Sequence, residues 1–349
     1  MPSQLTWGLT VCTYNRAGFL MQCLKYVLEQ TRLPSEVVIV DASDDWEDTY
    51  NTVRDTYAEH WQAIKLVYEP AKVRSLTFQR NQALDLSQSD IIFSLDDDIY
   101  LFPDAAAIIM KAYEADVDEE IAMIGGHFAS HSPSDAEPPR EAPGEANHGG
   151  VLQGIRPLLE QQLALHKHFA PYDHPVRYDA VPASVRGLEI HPDGLINGGR
   201  TTFRRRYGVE VRWSQLLRYY ATHEDSDFSY RMSKHGRILV APEAGFFHAD
   251  GNDSRFSRFK VNTIRVRNLM ALHRVWSDNK LRSAWRLLQS FCFFMCLYLV
   301  IDPVRKRFSL PIVRAYALGA ISIPVFMFYP FEDFERWYLD LQEKMYHGN

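Results

Sequence analysis

Short apolar runs recur through the first hundred residues, at 9–13 (with Trp7 just ahead), 37–40 and 91–95, with a more mixed run at 64–68. Runs this short and continuous suit strands covered on both faces of a parallel sheet. Helical patterns separate them, from about Ala17 to Gln30, through about Tyr57, and from Ser75 to Leu86. The alternation predicts an α/β fold, a mostly parallel sheet flanked by helices. In open sheets of this kind, ligands bind beyond the carboxyl ends of the strands. Three polar groups fall at such ends: Thr13-Tyr14-Asn15-Arg16, Asp41, and Asp96-Asp97-Asp98.

The Asp triplet is the sharpest of these. Three adjacent carboxylates raise each other's pKa unless a cation sits among them. A divalent ion relieves the repulsion, and oxygen ligands favour Mg²⁺ or Mn²⁺. The other reading is a solvated acidic loop that caps the next helix. A second acidic cluster, His223 to Asp227, precedes a helical pattern that stops at His235-Gly236. Glu224 and Asp225 suit either chemistry or helix capping. Short strands at 238–240 and 245–247 follow, the second ending at His248, which by itself is an ordinary partly buried histidine. Residues 121–124 read as a further strand. Residues 130–150 lack large apolar side chains and read as a surface loop. Asn197-Gly198-Gly199 reads as a turn into a strand.

The chain is 349 residues long, with net charge −6 and a pI near 6.1, so it carries no nucleic-acid footprint. Its four cysteines, at 12, 23, 292 and 296, form no CxxC pair, which points to a reducing, cytoplasmic setting without a disulfide framework. The first residues lack the basic and apolar regions of a signal peptide. Beyond a basic helical stretch, 255–274, lie two apolar stretches, 291–301 and 315–329, with Arg305-Lys306-Arg307 between them. The first is too short to span a bilayer, and Gly319, Ser322 and Pro324 interrupt the second. Core packing is one reading; peripheral docking on an anionic inner membrane face is the other.

The order Thr13-Tyr14-Asn15-Arg16, Asp41, Gln79-Arg80-Asn81, Asp96-Asp97-Asp98, then Glu224-Asp225 ahead of Tyr230-Arg231 and Gly236, resembles the family 2 glycosyltransferases of the GT-A fold. The resemblance covers about residues 6–275 and implies residues 1–250 as a nucleotide-sugar-binding and catalytic domain. Within it, 130–193 is an acceptor-side insertion, longer than the family's usual segment. Residues 251–349 form a helical C-terminal region that matches only loosely. The resemblance further implies Thr13, Tyr14, Asn15 and Arg16 in the nucleotide pocket, Asp41 at the base ring and Arg80 near the diphosphate. Asp96 and Asp98 resemble the Asp-x-Asp metal motif for Mn²⁺ or Mg²⁺, Asp97 a donor ribose or sugar contact, and His248 the completion of the metal site. Asp225 resembles the catalytic base, with Glu224 beside it, and Asn197, Gly198 and Gly199 the acceptor side.

The implied reaction is metal-dependent, inverting transfer from a nucleotide sugar, UDP-linked by default, to a hydroxyl of a glycan or lipid-linked acceptor. Two other readings stay open. A sugar-phosphate nucleotidyltransferase normally carries a Gly-rich loop after its first strand, where this chain has Thr13-Tyr14-Asn15-Arg16. A non-catalytic sugar-nucleotide binder would bind donor without transfer, against the presence of Asp225.

Overall fold

The computed structural model describes residues 4–133, 180–196, 198–249, 256–304 and 306–347. Most of the 130–193 insertion, and Asn197, lie outside the described residues. The chain divides into two compact units. The first comprises Met1–Arg140, Val176–Tyr219 and Glu224–Gly251; the second comprises Glu141–Pro175, Tyr220–His223 and Asn252–Asn349.

In the first unit, β1 (Trp7–Thr13), β2 (Glu36–Asp41), β3 (Lys65–Pro70) and β4 (Ile91–Asp96) form a parallel half-sheet in the order β3-β2-β1-β4. Helices α1 (Ala17–Leu28), α2 (Trp46–Thr56) and α3 (Leu76–Leu86) make the crossovers. β2 is buried throughout and β1 and β4 nearly so, which is why their runs are continuously apolar. The chain order reverses at β1, with β2 and β3 on one side and β4 paired on the other, so the paired ends of β1 and β4 mark a topological switch point.

The other half of the sheet is built differently. It contains β5 (Ile99–Leu101), β6 (Ile121–Ala129), β7 (His191–Pro192), β8 (Thr201–Arg204) and β9 (Arg237–His248), with α4 (Ala105–Ala115), α5 (Arg205–Val211) and α6 (Glu224–Met232). β8 runs antiparallel to both β4 and β6, β9 runs parallel to β6, and β5 and β7 pair antiparallel with β9. The sheet is therefore mixed, with parallel pairing concentrated in its first half. The two strands expected at 238–240 and 245–247 are one twelve-residue strand. Its pairing with β6 shifts register at Gly125/His127, where a Cβ on Gly126 would lie 2.0 Å from the Phe246 ring. A bulge there keeps the strand continuous through Pro242 and Glu243.

The second unit contains α7 (Arg258–Trp276), α8 (Lys280–Val304), α9 (Pro311–Phe328) and α10 (Phe334–His347). Tyr338 Oη donates to Asn268 Oδ1 at 2.5 Å, and Asn268 Nδ2 donates to the Thr222 carbonyl at 2.9 Å. Phe294 and Tyr316 stack at 5.2 Å between α8 and α9. The apolar stretches expected to be too short or interrupted belong to helices of 25 and 18 residues, the second ending one residue short of Tyr329. The first is extended on its N-terminal side by Lys280 to Ser290; the second continues through Gly319, Ser322 and Pro324.

One buried carboxylate ties the parallel strands to the loop before β4. Glu36 Oε1 accepts from Ser87 Oγ (2.5 Å), Gln88 N (2.6 Å), Ser89 N (2.8 Å) and Ser89 Oγ (2.8 Å). Burial pushes this carboxyl up, but the four donors outweigh it and hold the pKa below its ordinary value. Glu36→Gln keeps the shape and loses the charge. It should lower unfolding free energy by about 1–2 kcal/mol at neutral pH, read by urea denaturation. A depressed folded pKa stabilises above the unfolded value of 4.5 and stops doing so as pH falls through the folded one, so the gap to wild type should close on acidification.

Candidate active site

Strand register brings the first site residues together. Thr13 pairs with Asp41 across β1 and β2, and Cys12 with Asp96 across β1 and β4. Three chain segments thus end in one crevice. After β1 the backbone turns sharply at Asn15, whose φ is +53°, a conformation asparagine tolerates well. Asn15 N donates to Ser43 Oγ at 2.7 Å, anchoring the turn to the end of β2. Arg16 then sits over the Asp triplet with its guanidinium 4.4 Å from the Phe19 ring centre.

The triplet is divided between two arginines and a histidine. Arg16 Nη1 meets Asp97 Oδ1 at 2.9 Å and its Nη2 meets Asp98 Oδ2 at 2.7 Å. Thr13 Oγ1 donates to Asp97 Oδ2 at 2.7 Å. Asp96 Oδ1 instead meets Arg80 Nη2 at 2.8 Å, and Arg80 Nη1 meets Glu224 Oε1 at 3.0 Å. Burial alone would lower the Arg80 pKa, but Asp96 and Glu224 reverse that and keep it charged. Burial pushes Asp97 up to about 7, against the pull of Arg16 and Thr13 and with the push of Asp98 and Asp96. Burial also pushes Asp98 up, but His248 and Arg16 outweigh it and hold that carboxyl below its usual range.

His248 arrives through the sheet. β5 pairs with β9 so that Ile99, the residue after the triplet, lies opposite His248. His248 Nε2 is 3.4 Å from Asp98 Oδ1, a buried oxygen without a hydrogen-bond partner among the described residues. Such an oxygen beside a half-exposed imidazole is a donor pair that suits Mn²⁺ or Mg²⁺. Asp96 is the third ligand expected. Asp96 Oδ1 is engaged by Arg80, and among the described residues no three His, Cys, Asp or Glu side chains converge to hold a metal.

The Glu224-Asp225 pair opens α6 and its members separate in role. Burial and Asp225 push Glu224 up to about 8, against the pull of Arg80. Asp225 has Oδ2 accepting from Gly198 N at 2.7 Å and Oδ1 from Ser226 N at 2.7 Å. Gly199 follows at φ +80°, and a Cβ there would lie 2.9 Å from Ile99 and 3.4 Å from Asp96 Oδ2. The 198–199 turn therefore passes between Asp96 and Asp225, and only a glycine fits at its second position.

Asp41 is buried, its Oδ2 accepting from Tyr68 Oη at 2.6 Å and its Oδ1 from Ser43 N at 2.8 Å. Tyr14, by contrast, is exposed, with the Arg74 guanidinium 5.8 Å from its ring centre. Tyr68, Ser43 and Gln79 escaped the sequence reading as site residues. Gln79 Nε2 donates to the carbonyls of Thr13 and Val40, both at 3.2 Å, and so clamps the ends of β1 and β2. The signal for Gln79 was its place beside Arg80; nothing local marks Tyr68, which reaches Asp41 from the next strand.

Residues 9–149 match the family model described as glycosyl transferase family 2. Over that segment the chain is similar to the family 2 glycosyltransferases. That match contains Thr13 to Asp98, whereas Glu224, Asp225 and His248 join the family 2 residues only through the fold. No curated protein sequence matches the chain. Among solved structures it is similar to GalNAc-T7 with UDP, GalNAc and Mn²⁺, at 14% identity and TM-score 0.48, covering 70% of this chain and 43% of that one. It thus spans under half the length of GalNAc-T7. It is also similar to the mannosyltransferase PcManGT from Pyrobaculum calidifontis in complex with GDP-Man and Mn²⁺, at 16% identity and TM-score 0.49, covering 98% and 76%. TarS 1–349 of S. aureus aligns at 13% identity and TM-score 0.45, covering 94% of each chain.

The buried bridge makes a measurable claim. Arg80→Met leaves Asp96 and Glu224 facing each other without their cation and should cost about 3–5 kcal/mol in urea unfolding. Adding Glu224→Gln should restore part of that loss, with a coupling of at least ~1 kcal/mol in the double-mutant cycle.

Proposed function

We propose that the chain transfers a glycosyl group from a nucleotide sugar to an acceptor hydroxyl, with inversion. The observation that carries this reading is the division of labour in the cleft: Glu224 is tied to Arg80, and Asp225 stands free of any cation in the described contacts at the 198–199 turn. Asp225 is the proton acceptor, taking the acceptor hydroxyl's proton as oxygen attacks the anomeric carbon. One base acting opposite one leaving group gives a single displacement, hence inversion. The Gly198 and Ser226 amides keep the Asp225 carboxylate oriented.

The leaving nucleoside diphosphate gains negative charge. Asp98 and His248 are the residues that would hold a divalent ion, which when bound supplies Lewis-acid stabilisation to that charge. Two protein ligands suffice for Mg²⁺ or Mn²⁺ where substrate phosphates complete the sphere. Arg16 holds Asp97 and Asp98 in place, and the Thr13–Arg16 turn and Asp41 form the nucleoside end of the crevice. Asp96 and Arg80 support the site from beneath. A UDP-sugar is the default donor and a glycan or lipid-linked hydroxyl the acceptor.

A panel of UDP-, GDP- and dTDP-sugars, screened by thermal stabilisation with Mn²⁺, selects the donor. With that donor, Asp225→Asn should cut kcat by roughly 10²–10⁴-fold with donor KM little changed. Near-normal turnover by this variant removes Asp225 from the role, and retention of anomeric configuration in the product, read by NMR, removes the single displacement. Asp98→Ala should abolish the Mn²⁺-dependent part of donor binding in calorimetry while leaving the metal-free part; equal losses with and without Mn²⁺ would argue for a purely structural Asp98.

A further inference from the structure

Among the described residues, the helical second unit presents an exposed apolar surface. On α8 the exposed side chains Leu281, Trp285, Leu288 and Leu299 recur at helical spacing along one stripe, with Cys292 and Cys296 between, and Val300 and Val304 are exposed beside it near the helix end. Leu281 is 75% exposed, Trp285 61% and Val304 70%. On α9, Ile321, Val325 and Phe328 do the same, Ile321 at 77%. Phe308, in the connection, is 76% exposed. Only 28% of the most apolar window of α8 is buried, and 39% of that of α9. Scattered apolar side chains on a surface are ordinary, but a stripe along the whole of a 25-residue helix marks an interaction face.

Charge says what covers it. Residues 256–347 hold fourteen Lys and Arg against seven Asp and Glu, net +7, in a chain of net −6. The remainder is therefore at −13. Between Lys280 and Arg314, seven cations face a single acid, Asp302, which is buried. The cations gather at the ends of the apolar stretches: Lys280, Arg282 and Arg286 at one end of α8, Lys306, Arg307 and Arg314 around the connection. Apolar stripes bordered by cations match a bilayer with anionic headgroups. A second copy of this chain would bring like charge against like charge.

Length decides between lying on the bilayer and crossing it. The uncharged part of α8, 287–301, spans about 22 Å at 1.5 Å per residue, short of the ~30 Å hydrocarbon core. A crossing hairpin would also carry the cations of the connection through the membrane. We propose that α8 and α9 lie in the plane of an anionic phospholipid surface, their apolar stripes at the acyl boundary and their cations among the headgroups. This holds whatever sugar the first unit transfers.

The full chain is sedimented with vesicles of phosphatidylcholine alone and of phosphatidylcholine with phosphatidylglycerol. Binding should favour the anionic vesicles by at least tenfold and weaken with salt. Arg282→Glu with Arg286→Glu should weaken it by roughly fivefold or more per residue. Trp285→Asp with Leu299→Asp, both at exposed positions, should abolish it while leaving the urea midpoint unchanged. Full binding by the Trp285/Leu299 pair overturns the proposal. So does equal binding to both vesicle types, or binding that resists alkaline carbonate, the behaviour of a spanning hairpin. A chain that binds neither vesicle and forms a dimer broken by the same substitutions has a second copy on the stripe.

Discussion

Three carboxylates at one strand end would repel one another, and the site is organised by how that repulsion is relieved. Arg16 takes Asp97 and part of Asp98, Arg80 takes Asp96, and His248 approaches the remaining Asp98 oxygen. Each of the three comes from a different chain segment, so the triplet acts as an electrostatic hub that draws α1, α3 and β9 to the end of β4. Arg80 extends the hub to α6 through Glu224, 144 residues away in sequence. Because Arg80 is buried, neither acid can lose it cheaply, and the α6 start is held against the triplet.

The first half of the sheet was plain in the sequence because its strands are buried on both faces, which leaves continuous apolar runs and acidic or polar ends. The second half was harder to read. Its strands run in both directions, and β9 carries Pro242 and Glu243 at a register shift, so local signals break where the strand does not. The C-terminal helices were underestimated for a related reason: a tally of continuous apolar residues stops at Ser290, whereas helix continuity depends on backbone hydrogen bonds that Ser and Gln do not interrupt.

At the site, the residue types were legible and their pairings were not. Asp96 and Asp98 look equivalent as the two ends of an Asp-x-Asp motif, yet Asp96 faces Arg80 and Asp98 faces His248. The strand supplies that distinction: Asp96 is the last residue of β4, in register with Cys12, while Asp98 lies beyond the strand, where β5 brings it alongside β9. Glu224 and Asp225 are likewise adjacent in sequence but point to different partners, a buried arginine and the Gly198 amide. Tyr68 could not be found from sequence because its role arises from β2–β3 pairing, which puts Tyr68 opposite Ile39, two residues before Asp41.

The distribution of charge gives the site a further constraint. With residues 256–347 at +7, the rest of the chain stands at −13, and a nucleoside diphosphate is itself an anion. Long-range attraction therefore does not gather the donor; over distances beyond about 10 Å the field is screened and, from this part of the chain, of the wrong sign. Binding must come from local cations. Arg16 and Arg80 are already neutralised by the triplet and Glu224, so their charge is largely committed before any donor arrives. Among the described residues, a divalent ion beside Asp98 and His248 would add a positive charge that these carboxylates have not already balanced.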